Sequence, residues 1–172
     1  MIELLELKEK VTSIFKSDVE HLGEAIMESV NQHDVEKYDA FVAAVEGDLA
    51  TDWLQMVFQY YHADRDEKKQ DYTPKCLAEF MGLLAGDNDE IVDLCAGSGA
   101  LTIQKWIQSP DAYYRMYEID EKVIPYLLFN CVIRNIHGRV CLANALQDEV
   151  YAQWEIAKGE RYGRVTCVKS SV

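Results

Sequence analysis

The pattern of apolar residues changes near residue 70, and this change limits the folds that the chain can adopt. Up to about residue 65 there is no proline, and apolar residues recur at the spacing of amphipathic helices. From residue 90 onward, short apolar runs alternate with helical patterns: 91–95 (strand), 100–108 (helix), 113–119 (strand), 123–136 (helix) and 139–146 (strand). Strands that alternate with helices of this length are typical of βαβ units and a parallel sheet.

The chain is therefore expected to have two parts, a small helical bundle at 1–65 and an α/β domain at 66–172. Three or four short helices are predicted in the first part, and Gly47-Asp48 separates the last two. A further helix is predicted over 148–157 and a fourth strand over 164–168. Together these elements predict a Rossmann-like half-sheet of about four parallel strands with flanking helices.

The composition argues against several classes of function. The net charge is −13, and such a surface repels nucleic-acid phosphates, so weak DNA binding at most is expected without a partner. A solvated acidic surface is the simple interpretation, and mimicry of DNA is the alternative. Five cysteines form no C-x-x-C pair and the four histidines are scattered, so no metal site is expected. Without a signal peptide pattern or a long apolar run, a cytoplasmic location is expected.

A glycine-rich segment, Asp93-Leu-Cys-Ala-Gly-Ser-Gly99, stands between the first predicted strand of the sheet and a predicted helix. Glycines at such a junction let the backbone approach a ligand, and the N–H groups of the helix start can hold polar atoms. The dinucleotide pattern G-x-G-x-x-G is not met, because Thr102 stands at its third glycine, and no P-loop lysine follows. The alternative is a tight turn without a ligand.

An acidic residue ends the next predicted strand, about twenty residues after the glycines. Glu118 is the candidate, and Asp120 is assigned instead to capping of the following helix. A carboxylate at this place in a doubly wound sheet can accept hydrogen bonds from both ribose hydroxyls of a nucleoside. The alternative is an acid at a strand end that binds nothing.

Four motifs in order resemble those of the S-adenosylmethionine-dependent DNA adenine methyltransferases, particularly the modification subunits of type I restriction systems. The resemblance covers about residues 70–150, and the helical part matches by architecture alone. The motifs are Tyr72-Thr73-Pro74, Asp93-x-Cys95-x-Gly97-Ser98-Gly99, Glu118-Ile119 and Ala143-Asn144-Ala145-Leu146.

This resemblance implies a site for S-adenosylmethionine. Tyr72, Thr73 and Pro74 would contact the methionine end of the cofactor, and Asp93 would lie near its amino group. Cys95, Gly97, Ser98 and Gly99 belong to the cofactor loop. Glu118 would bind the ribose, Ile119 would lie against the adenine, and Asn144 would hydrogen-bond the adenine edge.

The family's catalytic motif, Asn/Asp-Pro-Pro-Tyr/Phe, follows its fourth strand. Here the predicted strand at 164–168 is followed by Lys169-Ser-Ser-Val172, which has no Asn, no Pro-Pro and no aromatic residue. A lysine ammonium offers no acceptor to the amino group of adenine. No catalytic residue is therefore assigned, and the chain is expected to bind the cofactor without methylating DNA.

Two other functions remain open. The fold could serve as the scaffold of a non-catalytic interaction protein that binds a restriction-modification subunit or another partner. A methyltransferase for a small substrate is the third possibility, and no catalytic site for it is identified. In each case the run 164–168 is expected to form an exposed edge strand, which favours self-association or pairing with a partner chain.

Overall fold

The structure is a computed structural model that describes residues 4–61, 73–86 and 88–170. These residues form seven helices and five strands. The helices are α1 (Leu4–Phe15), α2 (Leu22–Gln32), α3 (Val35–Ala44), α4 (Trp53–Tyr61), α5 (Lys75–Leu84), α6 (Ala100–Gln108) and α7 (Ile124–Ile133). The strands are β1 (Glu90–Asp93), β2 (Tyr113–Glu118), β3 (Gly138–Asn144), β4 (Glu149–Ala157) and β5 (Arg164–Ser170).

The four helices predicted in the first part of the chain are confirmed. Side-chain carboxylates precede two of them: Asp34 accepts a hydrogen bond from the backbone N–H of Lys37 at 3.2 Å, and Asp52 accepts one from Gln55 at 3.0 Å. These contacts satisfy N–H groups that a helix start leaves unpaired. Between α3 and α4, Gly47 has a φ of 75°, a left-handed conformation that glycine adopts without strain.

The prediction of an α/β fold is confirmed, but the sheet is mixed rather than fully parallel. Its strand order is β1-β2-β3-β4-β5. Strands β1, β2 and β3 pair in parallel, with Ile91 opposite Tyr114 and Met116 opposite Val140. Strands β4 and β5 pair antiparallel to their neighbours. Because β5 is antiparallel to β4, it runs in the same direction as β1, β2 and β3, and β4 alone opposes them in the described sheet. The expected Rossmann-like half-sheet of parallel strands is therefore not confirmed.

The prediction of a helix at 148–157 is wrong, because these residues form the strand β4. The buried Ile156 and the half-buried Trp154 lie on one face of β4, while Glu155 between them lies on the other. This alternation has the period of a strand. The strand predicted at 164–168 is confirmed as part of β5, which lies at an edge of the sheet but runs antiparallel to β4.

Helix α7 lies at the centre of the core. Nine of its ten residues are buried, and Phe129 makes edge-to-face ring contacts with Phe15, Tyr38 and Phe41 at centroid distances of 5.3, 5.6 and 5.0 Å. Such ring pairs add to the free energy gained by burial of the rings. One hydrophobic core therefore joins the first four helices to the sheet.

The face of the sheet opposite α7 carries polar side chains. Tyr113 donates its hydroxyl hydrogen to Glu155 at 2.7 Å, and Arg139 Nε donates to the other oxygen of the same carboxylate at 2.8 Å. Arg115 and Glu90 form an ion pair between β2 and β1. These cross-strand contacts are typical of a sheet face in contact with water. None of the described helices has both the length and the hydrophobicity that a transmembrane span requires.

Candidate functional site

The glycine loop and the acid that ends β2 lie together at the carboxyl ends of the parallel strands. Glu118 Oε2 accepts a hydrogen bond from the backbone N–H of Gly97 at 2.8 Å, across 21 residues of sequence. The parallel register of β1 and β2 brings their carboxyl ends to the same edge, which explains the contact. In open α/β sheets, ligands bind outside this edge.

Both glycines of the loop have left-handed backbone conformations. The φ angle is 55° at Gly97 and 106° at Gly99, and a Cβ atom added to Gly99 would lie 3.1 Å from a methyl group of Leu127. The N–H of Ala96 donates to the carbonyl oxygen of Tyr117 at 2.9 Å, which fastens the loop to β2. The turn from β1 into α6 thus requires these glycines whether or not a ligand binds.

Glu118 binds the loop through Gly97 and also binds the backbone that follows β2. Its second oxygen, Oε1, accepts hydrogen bonds from the N–H groups of Ile119 at 2.9 Å and Asp120 at 2.8 Å. A carboxylate has about four acceptor positions, and three N–H groups use three of them. A ribose diol would therefore replace the Gly97 contact or bind at the remaining position. The side chain of Ile119 is 62% exposed and offers apolar surface beside the carboxylate.

Asp93, which ends β1, is directed toward the start of α6. Its carboxylate accepts hydrogen bonds from Thr102 Oγ1 at 2.9 Å and from the N–H of Cys95 at 3.4 Å. Burial raises the pKa of Asp93, against the opposite effect of these two hydrogen bonds. Through these two hydrogen bonds the carboxylate stabilises the turn from β1 into α6. The Cys95 side chain lies beside it and is exposed.

Ser98 points into the interior, where it meets a group that sequence reasoning missed. Its hydroxyl donates to Asp52 Oδ2 at 2.7 Å, and Asn130 Nδ2 donates to Asp52 Oδ1 at 2.8 Å. We call Asp52, Ser98, Asn130 and Arg134 the interior polar cluster, since all four are buried. The signal that could have revealed it is the pair of polar residues, Asn130 and Arg134, within and just after the apolar run of α7.

Arg134 extends the interior polar cluster to the loop between α3 and α4. It donates through Nη1 to Asn130 Oδ1 at 2.8 Å, through Nε to the carbonyl of Leu49 at 2.8 Å and through Nη2 to that of Thr51 at 2.9 Å. Burial lowers the pKa of Arg134 to about 10, and burial raises the pKa of Asp52 against the effect of its hydrogen bonds and of Arg134. The cluster thus links the helical region, α7 and the glycine loop.

The remaining predicted site residues do not contact Glu118. Asn144 uses its side chain locally, because Oδ1 accepts from the N–H groups of Leu146 at 3.2 Å and Gln147 at 3.3 Å. Thr73 is half-buried and Pro74 is exposed, just before α5. Tyr72 lies outside the described residues.

The described residues of this edge bring a carboxylate acceptor and an apolar surface together. Glu118 has one acceptor position left, Ile119 offers an exposed apolar side chain, and the N–H of Gly97 is already bound to Glu118. Ser98 and Asn144 would have to leave their present partners before their side chains could contact a cofactor. Among the described residues, no cluster of His, Cys, Asp and Glu could hold a metal ion.

Fold and site together define an α/β protein with a partly parallel sheet and a glycine loop that faces an acidic strand end. Comparison of the chain with family models, with curated proteins and with solved structures finds no match. Any assignment of function therefore depends on the residues themselves.

Proposed function

We propose that the chain binds S-adenosylmethionine, or its demethylated product, at the carboxyl ends of β1 and β2. The observation that supports this most directly is the 2.8 Å contact between Glu118 and the N–H of Gly97, because it joins the two motifs that a nucleoside site requires. In this proposal Glu118 binds the ribose hydroxyls, Ile119 lies against the adenine, and Asp93 and Cys95 belong to the methionine end.

The proposal does not include methyl transfer to DNA by this chain. The three prolines, Pro74, Pro110 and Pro125, are isolated, so these 172 residues contain no Asn/Asp-Pro-Pro-aromatic motif. Orientation of an adenine amino group toward a methyl donor depends on acceptors such as those of that motif. The proposal places the protein in the cytoplasm, where its five free cysteines would stay reduced.

Isothermal titration calorimetry with S-adenosylmethionine and with its demethylated product tests the proposal. We expect Glu118→Gln to weaken binding at least about tenfold, because a neutral amide replaces the carboxylate acceptor. The control, Glu160→Gln, changes an exposed glutamate of the β4–β5 loop and is expected to bind normally. Absence of binding heat in the unaltered chain would refute the proposal.

A second variant separates loss of a ligand contact from loss of the loop structure. Because Glu118 also holds Gly97, its substitution changes the protein as well as the site. Ile119 is 62% exposed, so Ile119→Ala is expected to leave the thermal midpoint unchanged while it weakens cofactor binding. Labelled cofactor incubated with DNA and the pure chain is expected to leave no label on adenine.

The second candidate function is a non-catalytic interaction protein that binds another copy or a restriction-modification subunit. Two surfaces favour it. Helix α5 exposes an apolar stripe at helical spacing, formed by Leu77, Phe80, Met81 and Leu84, which are 45–63% exposed. At the far edge of the sheet, β5 presents an edge with Val168 57% exposed.

Sedimentation velocity at high micromolar concentration distinguishes these surfaces. If the chain associates through β5, Val168→Lys is expected to yield the monomer, because a charge at an edge strand opposes strand pairing. If it associates through α5, the double variant Leu77→Ser and Leu84→Ser has that effect instead. If the chain is monomeric at every concentration and binds no cofactor, binding to a different protein is the only form of this function that remains.

A further inference from the structure

A groove of about 1000 Å³ lies between α2, the start of α7 and the strands β3 and β4. We call it the α2 groove. None of the described residues assigned to the cofactor lines it, although the groove is a neighbour of that site, because Leu142 in its lining pairs with Glu118 across β3 and β2. Its volume is at the upper end of the range of about 300–1000 Å³ for small-molecule sites.

The floor of the α2 groove is apolar and preformed. Phe58 and Tyr126 are almost fully buried and make an edge-to-face ring contact at a centroid distance of 5.2 Å. Trp154, Leu142 and Met27 add half-buried apolar side chains to the lining. Such a floor offers an apolar partner side chain a surface that needs little rearrangement.

The walls of the α2 groove are acidic. Glu24 and Glu28 lie four residues apart in α2, Glu20 lies in the turn before this helix, and Glu121 lies on the α7 side. Among the described residues of the lining, four carboxylates face one ammonium, that of Lys122. A groove with this charge repels nucleic-acid backbones and anionic membrane surfaces, and it attracts cations.

The spacing of the carboxylates indicates the form of the cation. Glu24 and Glu28 are separated by about 6 Å along the axis of α2, and the α2 wall from Gly23 to Gln32 extends about 14 Å, or two and a half turns. A second helix that lies along α2 and carries Lys or Arg every four residues would place one cation opposite each of these two carboxylates. Its apolar stripe would then face the aromatic floor, as in helix-in-groove recognition.

We propose that the α2 groove is the docking site for a basic amphipathic helix of a partner protein. An apolar floor, the helical wall of α2 and the excess of carboxylates in the lining support this assignment. This inference does not depend on cofactor binding at Glu118.

Fluorescence anisotropy of a labelled synthetic peptide tests the proposal with the full chain. The probe is a 15-residue helix with Leu at positions i, i+3, i+4 and i+7 and Lys on both flanks of that stripe. Its twin carries Glu in place of every Lys, and spermine serves as a small polycation. We expect the basic peptide to bind, and to bind more weakly at high salt. Spermine, added at the same concentration of positive charge as the peptide, is expected not to displace it.

A matched pair of triple variants separates the groove from the general charge of the protein. Changing Glu20, Glu24 and Glu28 to Gln is expected to weaken binding of the basic peptide about tenfold, because three exposed ion pairs are lost. The control changes the same number of exposed glutamates elsewhere, Glu9, Glu36 and Glu160, and is expected to alter affinity less than twofold. Equal weakening by both variants would overturn the proposal.

Two further results would also overturn the proposal. One is equally tight binding of the acidic twin, which would remove the role of charge. The other is displacement of the peptide by spermine at equal charge, which would indicate a site for small cations. Amide chemical shifts should change on peptide binding along 20–31 and 121–126, and changes confined to other residues would contradict the assigned location.

Discussion

Helices α5 and α7 have the same length and are both apolar, α7 the more so, but their environments are opposite. Each has ten residues, and in α7 nine of these are buried. In α5, by contrast, Leu77, Phe80 and Leu84 are 47%, 55% and 63% exposed. An apolar composition thus indicates that a helix can be covered, while the cover itself comes from other parts of the chain.

The cause of the difference lies in the neighbours of each helix. Helix α7 packs against α2 and receives the rings of Phe15 and Phe41 on Phe129. Helix α5 packs on α6 through two small buried residues, Ala78 and Gly82, and a Cβ atom added to Gly82 would lie 3.0 Å from Gln108 Nε2. The close approach at this small contact leaves the wide apolar face of α5 uncovered by the described residues.

The largest effect is expected at alkaline pH, which tests the burial of α7 and of the residues packed around it. Burial raises the pKa of Tyr38 and of Tyr162 to about 12, and it also raises the pKa of Tyr126 on α7. Since the unfolded chain loses these protons near pH 10 and the folded chain holds them, stability present below pH 10 falls as pH rises toward 12. Each such tyrosine lowers the free energy of unfolding by up to about 1.4 kcal/mol per pH unit.

Tyrosinate absorbance and far-ultraviolet circular dichroism, recorded together from pH 8 to 12, measure this effect. We expect part of the tyrosine absorbance to change only with the loss of helix signal. Smooth ionisation of all ten tyrosines near pH 10 in a chain that stays folded would contradict the burial of the α7 side.

A matched pair of leucines compares the two helices directly. Leu127 in α7 is fully buried, whereas Leu84 in α5 is 63% exposed. Leu127→Ala is expected to lower the free energy of unfolding by about 3 kcal/mol, through lost burial and a cavity. Leu84→Ala is expected to change it by less than about 0.5 kcal/mol.

Urea unfolding followed by circular dichroism gives both values under one condition. A loss at Leu84 as large as that at Leu127 would indicate that α5 is covered in solution. Repetition over a range of protein concentrations then identifies self-association as the cover, because its contribution depends on concentration.

Local patterns predicted those elements whose residues determine their own structure. The helices of the first part, α6 and the three parallel strands follow from periodicity and from breakers such as Gly47. The approach of the glycine loop to Glu118 also follows, since parallel strands bring their carboxyl ends to one edge. The strand β4 was predictable as well. Trp154 and Ile156 alternate with polar residues, and this alternation favours a strand over the predicted helix.

The sequence could not predict features that depend on distant partners. Asp52 and Asn130 are 78 residues apart, and nothing local to either indicates that they hydrogen-bond. The place of β5 at the edge of the sheet likewise depends on the intervening strand β4, with which it pairs antiparallel through the loop at 158–163. The same limit applies to α5, whose exposure could not be deduced from its apolar residues.

The smallest effect is expected within the interior polar cluster, which fastens α7 to the loop before α4. Asp52→Asn keeps the shape of the side chain but replaces one acceptor oxygen by an NH₂ group, so a donor from Ser98 or Asn130 loses its partner. We expect a loss of about 2 kcal/mol, typical of a buried polar group left unsatisfied. The control, Asp111→Asn, breaks an exposed ion pair to Lys158 and is expected to leave the free energy of unfolding nearly unchanged. Equal losses of unfolding free energy in the two variants would show that the interior polar cluster adds nothing to the packing of α7 beyond the apolar contacts of this helix.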